Sequence, residues 1–437
     1  MLTYFPLNLL ALIAALICIF TVQKSQTGEF INTTKIYIYI LLSLFLPILL
    51  IKPDIYIFDP NTNYRSLFLP SAETINKTII VFSLMCISFA LSNIFSFNFF
   101  KNRDQKKITE HKSYNKKNFL VSYCVLVYIF LVVLTIINID YRITVLRYVF
   151  GNFDYDTVNA LRRFQNNDLA IINSLRYSLI FIHILLFSLM IKRKFGFFAF
   201  FGIYFFSIIL ISGNISKLYY IFAAAAFIVA SIYDSKKINF LYDQKFFLKL
   251  ILASFPLILI LAIIVSYVEH PGSIGFIDGL RLGFYRIFIS SWNDMAYFID
   301  LFPESIEFTY FRQSSLISNI FSLDFVPVGV LLVDSHSDLY GKDTTIASFF
   351  VAYAWAFGGF IFVFLFTFMF GFLLKFLDTI HNSFNNKMIR IAFYSFIITS
   401  PISNLQASFF SSLLHYGLLI VPIYLLFLDN FLTNKNY

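Results

Sequence analysis

Long apolar runs without alternation govern what this chain can become. Phe119 to Asn138 is apolar without alternation, and its length is about the 20 residues a helix needs to cross the hydrocarbon core of a bilayer. A transmembrane strand would alternate apolar and polar residues over about ten positions, so a barrel is excluded. Runs of the same character predict spans at 5–22, 36–51, 78–98, 119–138, 174–191, 196–211, 218–233, 250–268, 348–374, 389–405 and 409–428. The expected fold is all-α, a polytopic membrane bundle of about 11 transmembrane helices forming one integral domain over 1–437. Composition agrees: 13% of residues are charged and 59% hydrophobic, whereas soluble chains carry roughly 25% charge. The first run lacks a basic leader and a small-residue cleavage site, so it is expected to remain as a helix. Cys18, Cys86 and Cys124 all fall within spans, and neither a disulfide framework nor a metal cluster is expected of them.

Basic residues set the orientation. Lys101 to Lys117, Lys192-Arg193-Lys194 and Lys236 to Lys249 are basic links and read as cytoplasmic under the positive-inside rule. Threading the spans through them places the N-terminus outward, the C-terminus inward and three long segments outward: 52–77, 139–173 and 269–347. Of the 33 basic residues, 17 of the 20 inward ones are Lys, but nine of the 13 outward ones are Arg. Those nine are Arg65, Arg142, Arg147, Arg162, Arg163, Arg176, Arg281, Arg286 and Arg312. A topology signal would be met by either residue, so the preference for Arg has another cause. Arg holds phosphate or carboxylate through two parallel hydrogen bonds, which Lys cannot do. Two readings follow: pairing with outward carboxylates or headgroups, or an outward site for an anionic substrate. From Glu269 to Asp343, Arg281, Arg286, Arg312 and Lys342 stand among ten carboxylates, as individually placed cations would.

Within that segment, Phe276 to Leu301 is expected to be helical, ended by Pro303 and too polar to span, hence interfacial or re-entrant. Arg281 and Tyr285 share a face of it, with Arg286 further round. Tyr285, Trp292, Tyr297 and Tyr340 are candidates for stacking on sugar rings. Lys217 follows the turn Ser212-Gly213-Asn214-Ile215-Ser216; it is either an interfacial hairpin lysine or a ligand for a lipid phosphate. His183 and His415 lie within spans, as packed, bonded histidines or as proton relays. Asp334-Ser335-His336-Ser337-Asp338 admits three readings: a metal site, a solvated loop, or His336 as a base for an attacking hydroxyl. No P-loop and no G-x-G-x-x-G occurs, which argues against a pump driven by ATP.

The layout of spans, the long late outward segment, and the run Tyr340-Gly341-Lys342-Asp343-Thr344-Thr345 leading into Tyr353-Ala354-Trp355-Ala356-Phe357-Gly358-Gly359 and Gly371 resemble O-antigen polymerases of the Wzy type. Ile211 to Lys217 looks like that family's Ser-Gly-rich turn bearing a basic residue. The resemblance implies a glycosyltransferase that joins oligosaccharide repeats carried on undecaprenyl diphosphate, at the periplasmic face of the bacterial inner membrane. It implies catalytic roles for Arg281, Arg286 and His336. Substrate contacts would come from Arg142, Arg147, Arg162 and Arg163 in the first large loop, Tyr285 and Arg312 in the second, and Lys217. Asp140, Asp278 and Asp338 are alternatives to His336 as the base. No cofactor or metal and no nucleic acid is expected; the lipid-linked oligosaccharide, the bilayer and a chain-length regulator are the expected partners.

Two other functions use similar substrates. A flippase or other transporter of lipid-linked oligosaccharide would be expected to show internal repeats and charges within spans, and neither stands out. A glycosyltransferase using a polyprenyl-phosphate sugar would place acidic residues in its first outward loop, where Asp54 and Asp59 lie.

Overall fold

The computed structural model describes residues 5–24, 37, 71–100, 117–137, 176–212, 217–234, 290–313, 317–318, 321–326, 328, 350–381, 383–404, 407–414 and 417–433. Among them the regular structure is helical, with no strand. The α-helices are α1 (Phe5–Lys24), α2 (Ala72–Phe100), α3 (Lys117–Ile137), α4 (Phe181–Phe195), α5 (Phe197–Ser212), α6 (Lys217–Asp234), α7 (Ser290–Leu301), α8 (Phe350–His381), α9 (Lys387–Asn404), α10 (Phe409–Leu413) and α11 (Ile420–Thr433). A π-helical turn, Arg176–Ile180, leads into α4, and a 3-10 turn, Tyr310–Gln313, follows α7. By length and composition, two helices can cross a membrane: α2 over Ala72–Ser96 and α8 over Phe350–His381. Shorter apolar helices occur at Leu7–Val22, Phe119–Leu134, Phe197–Leu210 and Ile420–Leu432.

The chain divides into two compact units. The first comprises 1–101, 243–375 and 404–409; the second comprises 102–242, 376–403 and 410–437. In the first, α1 packs along α2. The face of α1 that is buried consists of Ala11, Ala14, Ala15, Cys18 and Val22, while Leu9, Leu10, Ile13, Leu16, Ile17 and Phe20 are exposed. Small residues turned inward and large apolar ones outward invert the pattern of a water-soluble helix, and suit a helix whose outer neighbour is lipid.

α2 and the C-terminal part of α8 run in the same direction. Ser88 Oγ–H donates to Phe364 O at 2.7 Å, and further along the rings of Phe95 and Phe368, then of Phe99 and Phe372, meet at 5.8 and 5.9 Å. Gly371 permits this approach: a Cβ there would lie 2.8 Å from both Phe89 Cδ1 and Ser92 Oγ. Gly371→Val is expected to force α2 and α8 apart, at a cost of about 1–3 kcal/mol for overpacking. The expected result is a lower melting temperature in detergent, with Gly371→Ala intermediate. A ring cluster of Tyr37, Phe89, Phe350 and Phe370 fills the same interior.

In the second unit α5 and α6 form an antiparallel pair. Tyr204 O–H donates to Ala223 O at 2.8 Å, and the rings of Phe200 and Phe227 stack at 4.6 Å. α4 packs on α3 and α5. At the start of α9, Asn386 caps with its side-chain oxygen, accepting from Met388 N–H at 2.9 Å. The buried carboxylate of Asp429 in α11 accepts the N–H groups of Asn385 and Asn386 at 2.9 and 2.8 Å. Backbone donors that a helix start leaves unmatched are thus satisfied.

Candidate functional site

Arg312 is the one residue of the expected site whose side chain lies among the described residues, and its surroundings are built from a break in α8. Gly358 and Gly359 leave helical geometry. Gly359 has φ +70, the left-handed region that glycine enters without a Cβ penalty. It also faces the ring of Phe308, which a Cβ would meet at 3.1 Å. The break divides α8 into Phe350–Phe357 and Phe360–His381, and the end of the first part is held by the stretch that follows α7. Thr309 donates to Ala356 O twice, from N–H at 3.0 Å and from Oγ–H at 2.9 Å. Gln313 Nε2–H donates to Tyr353 O at 3.1 Å and to Thr309 Oγ1 at 2.6 Å. In return Trp355 Nε1–H donates to Phe302 O at 2.9 Å.

This lattice fixes Arg312. Its N–H donates to Thr309 O at 3.0 Å and its carbonyl accepts from Val326 N–H at 2.8 Å. Its guanidinium touches the protein through Nε–H, a long 3.4 Å bond to Thr309 O. Among the described residues the two Nη groups have no partner, and Arg312 forms no ion pair with a carboxylate. The cation is half-buried. A guanidinium anchored at Nε and open at both Nη groups can offer a planar fork to an oxyanion.

The same end of the first unit carries the start of α2. Thr74 Oγ–H donates to Asp300 in α7, and Lys77 bridges Glu304 at 2.8 Å and Glu73 at 3.0 Å. Stretches from all three segments that gather here, around Ser71–Lys77, Asp300–Gln313 and Tyr353–Ala356, belong to or adjoin the portions expected to face outward.

Other expected residues separate by where they lie. Arg142, Arg147, Arg162, Arg163, Arg281, Tyr285, Arg286 and His336 are outside the described residues, as are Asp54, Asp59, Asp140, Asp278, Asp338, Tyr340 and His415. Lys217 begins α6, as the hairpin reading requires; its side chain, like those of Arg176 and Trp292, is outside them. α7 contains the C-terminal half of the helix expected over Phe276–Leu301. Tyr297 corrects an expectation: it is 1% exposed within α7, so its ring packs inside the first unit and presents no face to a sugar. His183 is a bonded histidine. Nδ1–H donates to Leu179 O at 2.6 Å, and Nε2 accepts from Tyr424 O–H at 2.8 Å, with Tyr123 O–H 2.6 Å from the Tyr424 oxygen. The three cysteines are free and buried. Among the described residues no group of His, Cys, Asp and Glu could hold a metal ion.

Thr309, Gln313 and the backbone of Tyr353 and Ala356 were not legible as site residues from the sequence. The available signal was the polar stretch Thr309-Tyr310-Phe311-Arg312-Gln313 together with the Gly358-Gly359 pair. No family model matches the chain, and neither does any curated protein or solved structure.

Proposed function

We propose that the chain is an O-antigen polymerase of the Wzy type: a bundle of about 11 spans in the bacterial inner membrane that polymerises undecaprenyl-diphosphate-linked repeats at its periplasmic face. The observation carrying this reading is the placement of Arg312. An open guanidinium sits on a broken apolar helix, at the end of the unit where the outward-assigned stretches converge. The part of α8 after its break runs in the same direction as α2, in agreement with the predicted threading of both from the outer face inward. Exposed apolar faces, including that of α1 and the Val121, Val125, Leu126, Ile129, Phe130 and Val133 face of α3, suit a lipid surround.

The chemistry requires little more than position and charge. The bond between the anomeric carbon of the growing glycan and its diphosphate oxygen breaks, and a bond from that carbon to an acceptor hydroxyl forms. The hydroxyl proton passes to a base, His336 or one of Asp140, Asp278 and Asp338. Undecaprenyl diphosphate leaves with both bonding electrons, and guanidinium groups of Arg281, Arg286 and Arg312 stabilise its developing charge. The direct test is purified protein in vesicles with lipid-linked repeats extracted from a strain lacking the gene. A glycan ladder forming without nucleotide sugar or ATP is expected; dependence on either would overturn the proposal.

A further inference from the structure

We infer that Tyr310–Gln313 and Phe321–Val326 form a membrane-interface hook, which inserts an aromatic tip into the leaflet around the bundle and so holds Arg312 at the depth of lipid phosphates. The inference rests on the reading above that α2 and α8 cross a bilayer. Val326 N–H and Ser318 Oγ–H both donate to Arg312 O, at 2.8 and 3.3 Å. Between these anchors the tip Phe321-Ser322-Leu323-Asp324-Phe325 is exposed, with Phe321 at 67%, Leu323 at 42% and Phe325 at 47%. Tyr310 and Phe311 beside Arg312 are half-exposed as well, each resting an edge against Phe357 of α8. Five large apolar or aromatic side chains clustered in one short stretch would be costly in water and mark an interaction surface.

Depth identifies the occupant. Phe360–His381, the part of α8 beyond its break, has 22 residues and rises about 33 Å, enough alone for a hydrocarbon core of about 30 Å. The break therefore lies at the membrane boundary, and Thr309 and Gln313 are bonded to the turn just before it. The first part of α8 folds back beside the second, the rings of Phe350 and Phe370 meeting at 4.8 Å and those of Phe357 and Phe366 also at 4.8 Å, so the break is the tip of a hairpin. Thr309 and Gln313, bonded to Ala356 and Tyr353 beside that tip, hold Arg312 next to it. Aromatic side chains exposed at that level meet the interfacial and upper acyl region, where such rings are favoured. Arg312, with no carboxylate partner among the described residues, then stands where phosphates of the bilayer are. The lipid diphosphate of the proposed substrate would arrive at the same depth.

Spin labels on the full chain test this. In a background with Cys18, Cys86 and Cys124 replaced by Ala, Phe321→Cys and, separately, Met369→Cys on the exposed face of α8, ten residues beyond the break, are labelled with a nitroxide. Each is placed in vesicles of phosphatidylethanolamine and phosphatidylglycerol. Collisions with oxygen, which partitions into the bilayer, should exceed those with a water-soluble nickel chelate at both sites, with position 321 the shallower. Nickel dominating at 321 alone would put the tip in water and overturn the hook while leaving the bilayer reading intact. Low collision rates with both reagents at 321 would mean that protein covers the tip, which also overturns it. Nickel dominating at 369 would remove the bilayer reading itself, and the hook with it.

Discussion

Arg312→Lys is expected to leave expression unchanged and to shorten the glycan made by a complemented strain from a long ladder to a single capped repeat, or nearly so. The substitution keeps the positive charge, so the loss would report the fork that an ammonium lacks. Removing one donor aimed at developing charge costs about 10²–10³ in kcat, and chain length multiplies that loss over successive transfers. The fold is expected to survive, because Arg312 is tied to its neighbours largely through the main chain, to Thr309 O and from Val326 N–H. Gln313 and Thr309, which brace the end of the first part of α8, are untouched. Arg281→Lys and Arg286→Lys are expected to have the same effect, as members of one clamp. Ladders of normal length from all three variants would remove the guanidinium clamp from the mechanism.

His336→Ala carries the second large effect. If its imidazole takes the proton of the acceptor hydroxyl, truncation lowers the rate of polymerisation by about 10²–10⁴, the usual range for a general base. The pH profile supplies the sign. A His base works when neutral, so wild-type activity should fall in acid, and the Ala variant should lose that acid limb. An unchanged rate in the vesicle assay would exclude His336 and pass the role to Asp140, Asp278 or Asp338. Asn variants of those three then identify the base by the same readout, with an acid limb expected nearer the carboxylate range.

Helix positions were legible because long apolar runs have few alternatives. The expected spans 78–98, 119–138, 196–211, 218–233 and 389–405 correspond to α2, α3, α5, α6 and α9, with ends differing by up to six residues. Breaks within apolar runs were not legible. The span expected over 348–374 extends to His381 and is interrupted at Gly358-Gly359, and that expected over 409–428 separates into α10 and α11 around Gly417, with φ +77. The reason is physical: a glycine in an apolar run serves equally to let helices touch or to let one helix turn. Gly371 does the first, against Phe89 and Ser92, and Gly359 does the second, beneath the ring of Phe308. The choice depends on what packs opposite, and that partner is distant in sequence. The same holds for the site. Arg312 was selected by residue type and position, but Thr309 and Gln313 gain meaning only because the break offers them the carbonyls of Ala356 and Tyr353. Conversely, Tyr297 has the chemistry of a sugar platform and is buried by the packing of its helix.

The most direct measurement is the length distribution of surface polysaccharide in a strain from which this gene is deleted, with and without complementation. A polymerase predicts glycan of one repeat unit in the deletion strain and restoration of the full ladder by the wild-type gene. The absence of any repeat would instead indicate failed export or failed assembly of the lipid-linked unit, and a normal ladder would show that polymerisation proceeds without this protein; either result contradicts the proposed function.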